Sequence, residues 1–112
     1  MCTQNQLHLI TESVAKEASA LLSDKLDAVI LYGSYARGDY DDESDIDIIV
    51  RIACERIDLP KYRRAFTKCA SDLSLQYGVT VSVQLTDKES YDKFKNVLPI
   101  YKNIEREGVL IA

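Results

Sequence analysis

The chain has 112 residues, 46% apolar and 29% charged, enough for one domain with one real core. Its net charge of −4 excludes bulk, sequence-independent nucleic-acid binding, which depends on Lys and Arg neutralising phosphates. No apolar run approaches the roughly 20 residues that cross a bilayer, and the start MCTQNQLHLI lacks a basic leader and a cleavable apolar stretch, so neither membrane insertion nor export is expected.

In chain order, residues 4–23 read as a helix, because Leu7, Ile10, Val14, Ala18, Leu21 and Leu22 recur at three- and four-residue steps. Thr3 is a candidate cap. His8, the only histidine, reads as a surface residue rather than a ligand, with no Cys or second His beside it. Asp27 to Tyr32 is a nearly continuous apolar run, expected as a strand buried on both faces. Gly33 stops it, and Ser34 to Arg37 can form one helical turn whose first amides face an anion. Residues 38–44 are an acidic loop. Ser44 to Ile52 is a second strand, with Asp45, Asp47 and Ile49 on one face and Ile46, Ile48 and Val50 on the other.

Asp58 as cap and Pro60 in the first turn open the next helix, whose stripe is Tyr62, Ala65, Phe66, Cys69, Ala70 and Leu73, ending at Gly78. Val79 to Leu85 alternates as a third strand, with Thr80, Ser82 and Gln84 on one face. Asp87 caps a helix bearing Tyr91, Phe94 and Leu98. Pro99 must end or restart that helix, since proline inside one costs about 3 kcal/mol. A last helical piece runs to Glu107, is closed by Gly108, and is followed by a short strand or tail at Val109 to Ile111. There is no repeat or linker, so residues 1–112 are expected to be a single domain. Cys2, Cys54 and Cys69 are odd in number and widely spaced, which predicts reduced thiols in a cytoplasm.

The chemistry concentrates in residues 31–50, LYGSYARGDYDDESDIDIIV. Two carboxylates spaced by one residue on a strand share a face, and magnesium needs only one or two carboxylates besides substrate phosphates. A lone D-x-D is common in solvated acidic loops. Here a Gly-Ser turn leaving a strand precedes it, and such a turn lets backbone amides and a hydroxyl approach phosphate oxygens. These are parts for holding a metal-bound nucleoside triphosphate.

The pattern G-S-Y-A-R-G (33–38) followed by S-D-I-D-I-I-V (44–50) resembles the minimal nucleotidyltransferase family, small relatives of the polymerase-beta-type nucleotidyltransferases. The family signature G-S-x10-D-x-D runs here from Gly33 and Ser34 to Asp45 and Asp47, and the closing I-E-R-E-G (104–108) is similar too. The resemblance implies an α/β (α+β) fold with a mixed, mainly antiparallel sheet backed by helices. It implies that Asp45 and Asp47 are catalytic and bind Mg2+, and that Gly33, Ser34 and Arg37 bind the triphosphate of ATP. Arg37 reads nearly as well as a surface ion pair with the acidic loop. The implied reaction transfers AMP to a hydroxyl and releases pyrophosphate.

One position departs from the family pattern. Active members usually carry a third carboxylate on the next strand, and the counterpart here is Ser82, with Gln84 as second choice. Asp87, just beyond, could substitute, although its cap position explains it as well. General-base assistance contributes typically about 10²–10⁴ in rate, so a catalytically degenerate nucleotide-binding or protein-docking module is the alternative reading. By family analogy the partner would be a HEPN-type toxin with a tyrosine acceptor, and the chain its antitoxin. Val97, Ile100 and Tyr101 are candidates for a homo- or hetero-oligomer interface or for core packing. Self-modification at Tyr35 or Tyr40 carries little weight, because tyrosine's amphipathic area accounts for its use at half-buried sites.

Overall fold

The computed structural model describes residues 3–112, so Cys2 lies outside the described residues. Helix α1 (Gln4–Leu22) begins with a full capping box: Thr3 Oγ1 accepts from Gln6 N–H at 3.1 Å, and Gln6 Oε1 accepts from Thr3 N–H at 3.0 Å. Its buried stripe is Leu7, Ile10, Thr11, Val14, Ala18 and Leu22. Leu21, expected in that stripe, is exposed. A 3-10 turn (Ser23–Lys25) leads to β1 (Leu26–Tyr32), and one helical turn, α2 (Ser34–Arg37), follows Gly33. Then come β2 (Ile46–Ile52), α3 (Pro60–Tyr77), β3 (Val81–Asp87), α4 (Lys88–Phe94), α5 (Pro99–Glu107) and β4 (Val109–Leu110).

The sheet order is β3-β2-β1-β4. Strands β1 and β2 are antiparallel, as are β1 and β4, while β3 runs parallel to β2 because α3 carries the chain back across one face. The mixed, mainly antiparallel sheet backed by helices is therefore as expected. Ile46, Ile48, Val50 and Ile52 of β2 face α1 and α3 and form the larger core with Ile10, Val14, Phe66 and Leu73. On the opposite face Ala28, Ile30 and Ile49 are covered by Tyr91 of α4 and Ile104 of α5. Tyr91 O–H donates to Glu105 Oε2 at 2.9 Å, and Arg51 lies 4.7 Å from the centre of its ring. This roof covers only part of that face. Tyr32, Asp47 and Ser82 are partly exposed and Gln84 is exposed at the other end.

Three local expectations are corrected, the first being β2, which starts at Ile46 rather than Ser44, so that Asp45 precedes the strand. Asp58 does not cap α3: it ends a 3-10 turn (Arg56–Asp58), and Leu59 stands at the cap with no side-chain bond, ahead of Pro60 in the first turn. Strand β3 starts two residues later than Val79 and runs on to Asp87, which is both its last residue and the cap of α4, accepting from Ser90 N–H at 2.9 Å. Gly108 closes α5 as expected, with an ordinary backbone (φ −64°), so its need for glycine is one of space. A Cβ there would lie 2.5 Å from the Ile104 carbonyl oxygen and 2.7 Å from Ile30 Cγ2.

His8 is a surface residue, 3.6 Å from Glu12. Val97 and Ile100 are exposed, whereas Tyr101 packs beside the Tyr91 cluster and hydrogen-bonds Thr86 at 3.0 Å. Cys54 and Cys69 are free, and burial pushes both thiols up, towards the protonated form. Among the described residues no helix is long and apolar enough to cross a membrane.

Candidate functional site

The site lies where β1 ends and β2 and β3 begin. Tyr32, the last residue of β1, pairs with Asp47 across the antiparallel ladder, and Asp47 pairs with Ser82 across the parallel one. Side chains at the same level of neighbouring strands share a face. The alternation of β2 thus puts Asp47 on the partly open face, between Tyr32 and Ser82. Asp45 comes just before the strand and is exposed, while Asp47 is half-buried.

Gly33 makes the site possible. Its φ of +76° turns the chain from β1 into α2. A Cβ at this position would lie 2.5 Å from Asp47 Oδ2, so the carboxylate occupies the space a side chain would need. The Gly33 carbonyl accepts from the Ala36 and Arg37 amides, both at 3.1 Å, closing the turn of α2. Ser34 stands at the start of that turn, where helical amides have no partner within the helix. Beneath it Tyr35 is buried and stacks on Tyr40, with centroids 4.2 Å apart and planes 8° from parallel.

The electrostatics centre on Asp47. Burial raises its pKa, the Asp45 charge raises it further, and Arg37 pulls the other way. Burial and the Asp47 charge push the Tyr32 phenol up to about 12. Two like charges held together, one in a partly desolvated place, fit a divalent cation, which would relieve both penalties. Asp45 and Asp47 are the residues that could hold one. Among the described residues no three His, Cys, Asp or Glu side chains gather as a larger metal-binding group.

The remaining sequence candidates fall as follows. Arg37 is exposed and bonded to two carboxylates, Nε to Asp39 Oδ2 and Nη1 to Glu107 Oε2, both at 3.1 Å. The ion pair with the acidic loop thus exists, beside a second partner that spacing could not show. Ser82 stands opposite Asp47, and Gln84, one step further on the same face, reaches Ser82 Oγ with Nε2 at 3.5 Å. Asp87 is paired with Ile52 at the other end of the ladder. Five residue steps of strand separate it from Ser82, roughly 16 Å, so it does not replace a carboxylate opposite Asp47. Tyr32 and Glu107 are the site neighbours that sequence reasoning missed. Tyr32's alternation with Gly33 and the two-residue spacing of the aspartates could have pointed to the first.

A four-stranded mixed sheet with a Gly-Ser turn under a D-x-D strand defines the nucleotidyltransferase class. The chain belongs to the nucleotidyltransferase domain family, whose model matches residues 12–111. It is 44% identical over 73 residues, 65% of this chain and 72% of the relative, to the provisionally named protein adenylyltransferase MJ0141 of Methanocaldococcus jannaschii. Solved structures with the same fold include a toxin–antitoxin complex with AMP-PNP, at TM-score 0.57 and 20% identity, covering 91% of this chain and 72% of that one. Another is a tri-AMPylated Shewanella oneidensis HEPN toxin in complex with its MNT antitoxin, at TM-score 0.53 and 20% identity, covering 95% and 71%.

Proposed function

We propose that this domain, residues 1–112, transfers AMP from ATP to a protein hydroxyl in the cytoplasm, with a tyrosine of a HEPN-type toxin as acceptor and the chain as its antitoxin. The observation that carries the reading is the placement of the Asp47 carboxylate against the Cβ-free Gly33, next to Asp45. The AMPylated toxin among the fold neighbours and the protein adenylyltransferase name of the archaeal relative support the acceptor class.

Asp45 and Asp47 would hold magnesium, which when bound neutralises phosphate charge and polarises the α-phosphoryl group. Gly33 lets the triphosphate approach the backbone, and Ser34 offers its amide and hydroxyl to a phosphate oxygen. The acceptor oxygen bonds to the α-phosphorus, the α–β bridge breaks, pyrophosphate leaves, and the hydroxyl proton passes to a base. Ser82 cannot be that base near neutral pH, so transfer is expected to be slow by about 10²–10⁴ relative to a site with a third carboxylate. Exposed Val97, between α4 and α5, and Ile100, in the first turn of α5, offer apolar contact to a protein partner or a second copy.

Ser82 opposite Asp47 also favours a second reading, a nucleotide-binding module that acts by docking rather than transfer. Calorimetric titration with ATP, with and without magnesium, tests the shared part. Magnesium-dependent binding that is lost in Asp45→Asn/Asp47→Asn is expected, and no binding to any triphosphate would sink the nucleotide reading. Labelled-AMP transfer to a co-purified toxin then separates the enzyme from the docking module.

A further inference from the structure

We infer that Glu107, the last residue of α5, is a positioning residue for the nucleotide site, holding the Arg37 guanidinium off Asp45 and Asp47. This rests on the nucleotide reading above. Arg37 belongs to a helix of four residues between Gly33 and Gly38, both at positive φ. One such turn is too short to be stable by itself or to fix a long side chain. Two carboxylates do so instead, Asp39 on Nε and Glu107 on Nη1. Because the guanidinium is planar with donors in a rigid fork, anchoring two of its nitrogens sets its plane. Among the described residues no hydrogen bond joins Nη2 to a protein acceptor.

The two anchors differ in firmness. The Asp39 side chain is 62% exposed, two residues along a polar loop. The Glu107 side chain is 20% exposed and arrives from 70 positions away. Its place is fixed by the core. The Gly108 N–H donates to the Ile104 carbonyl at 2.8 Å, and the absent Cβ lets the chain press against Ile30. Val109 and Leu110 then pair with Leu31 and Ile30. The strand that delivers Tyr32 and Gly33 therefore also sets Glu107. Glu107 Oε1 is held in turn by Arg106 Nη2 at 3.2 Å.

Asp47 already feels the charge of Arg37. Released from Glu107, an arginine on so short a turn has an obvious destination in the Asp45 and Asp47 carboxylates. Arg–carboxylate pairs are strong and often bidentate, and one formed there would occupy the oxygens a divalent cation needs. The Glu107 contact keeps that cation position open and leaves Nη2 for an anionic ligand.

Glu107→Ala is expected to weaken ATP binding in magnesium about tenfold, the loss of one hydrogen bond between charged groups. It should have no further effect in an Arg37→Gln background. Glu107→Gln keeps an acceptor of the same reach and should restore part of the affinity; it is the variant to read if alanine impairs folding. A second readout needs no nucleotide: the Arg37 Nε–H resonance, assigned by its loss in Arg37→Gln, should shift and broaden in Glu107→Ala. An equal loss of affinity with and without Arg37, or an unmoved Arg37 resonance, overturns the proposal. A wild-type protein that binds no triphosphate ends the nucleotide reading instead, and the resonance alone then decides whether Glu107 positions Arg37.

Discussion

Asp47 and Ser82 stand opposite each other across the parallel ladder of β2 and β3. On the proposed function, a hydroxyl stands where a third carboxylate would share the cation with Asp47 and take the acceptor's proton. The substitution is confined to one side chain, because the register on either side is regular from Ile46↔Val81 to Ile52↔Asp87. The scaffold for a third carboxylate is present without the carboxylate.

Ser82→Asp should therefore raise labelled-AMP transfer about 10²-fold or more, the scale of general-base assistance. Without magnesium the same change should lower the melting temperature, because directly opposed like charges cost about 0.2–1 kcal/mol. Melting curves with and without magnesium check the second effect. A variant no faster than wild type would place the limit elsewhere than in the missing base.

Gly33→Ala should damage both stability and binding. The residue would have to hold φ near +76° and put a methyl 2.5 Å from Asp47 Oδ2. A strained backbone of this kind costs about 1–3 kcal/mol, and the displaced carboxylate should abolish magnesium-dependent ATP binding. Denaturant unfolding and calorimetry measure the two losses separately. Full affinity in a folded variant would show that Asp47 does not need its place against the Gly33 backbone.

The pH dependence follows from Asp47. Its folded pKa is raised, by burial first and then by Asp45. Between the unfolded value and the raised folded value the native state holds more protons than the unfolded one, so stability falls as pH rises through that window. The ionised form is the strained one. Asp47→Asn should consequently be more stable than wild type above the window, with the difference shrinking on acidification. Melting temperatures across the mildly acidic range test this, and a variant that is less stable at neutral pH would contradict it.

Tyr32 supplies the alkaline counterpart. Its phenol is pushed from 10.0 up to about 12 by burial and by Asp47. As pH rises from the unfolded value through the folded one, the native state again retains the proton and loses stability. Tyr32→Phe should flatten that part of the curve. Unchanged alkaline sensitivity in the variant would mean that other groups govern it.

Much of this was legible in the chain. The Thr3 cap, the Gly33 break and the alternation of residues 46–50 are set by neighbours in sequence, and they put Asp47 on the strand, although Asp45 falls just before it. Ser82 stands opposite Asp47, because a strand's alternation fixes which residue faces the site once register is given. What escaped depends on distant packing. Asp58 looked like a cap, but a 3-10 turn intervenes and gives Leu59 that place. The chain shows that Gly108 closes the last helix but not why a glycine stands there, which is the nearness of Ile30, 78 positions earlier. The Arg37–Glu107 contact has no periodic signature at all, since it joins a four-residue helix to the far end of the chain.

The stacked Tyr35 and Tyr40 rings carry an optical consequence. The chain has seven tyrosines and no tryptophan, so its near-ultraviolet signals belong to tyrosine. Two rings 4.2 Å apart and nearly parallel are electronically coupled, one inside the glycine-flanked segment from Gly33 to Gly38 and the other just beyond it. The Tyr40 hydroxyl, accepting from Gln4 Nε2 at 2.9 Å, moors the pair to the first turn of α1. Any ligand that tightens or parts this segment will write itself into the tyrosine circular dichroism, giving the turn a built-in, label-free dial.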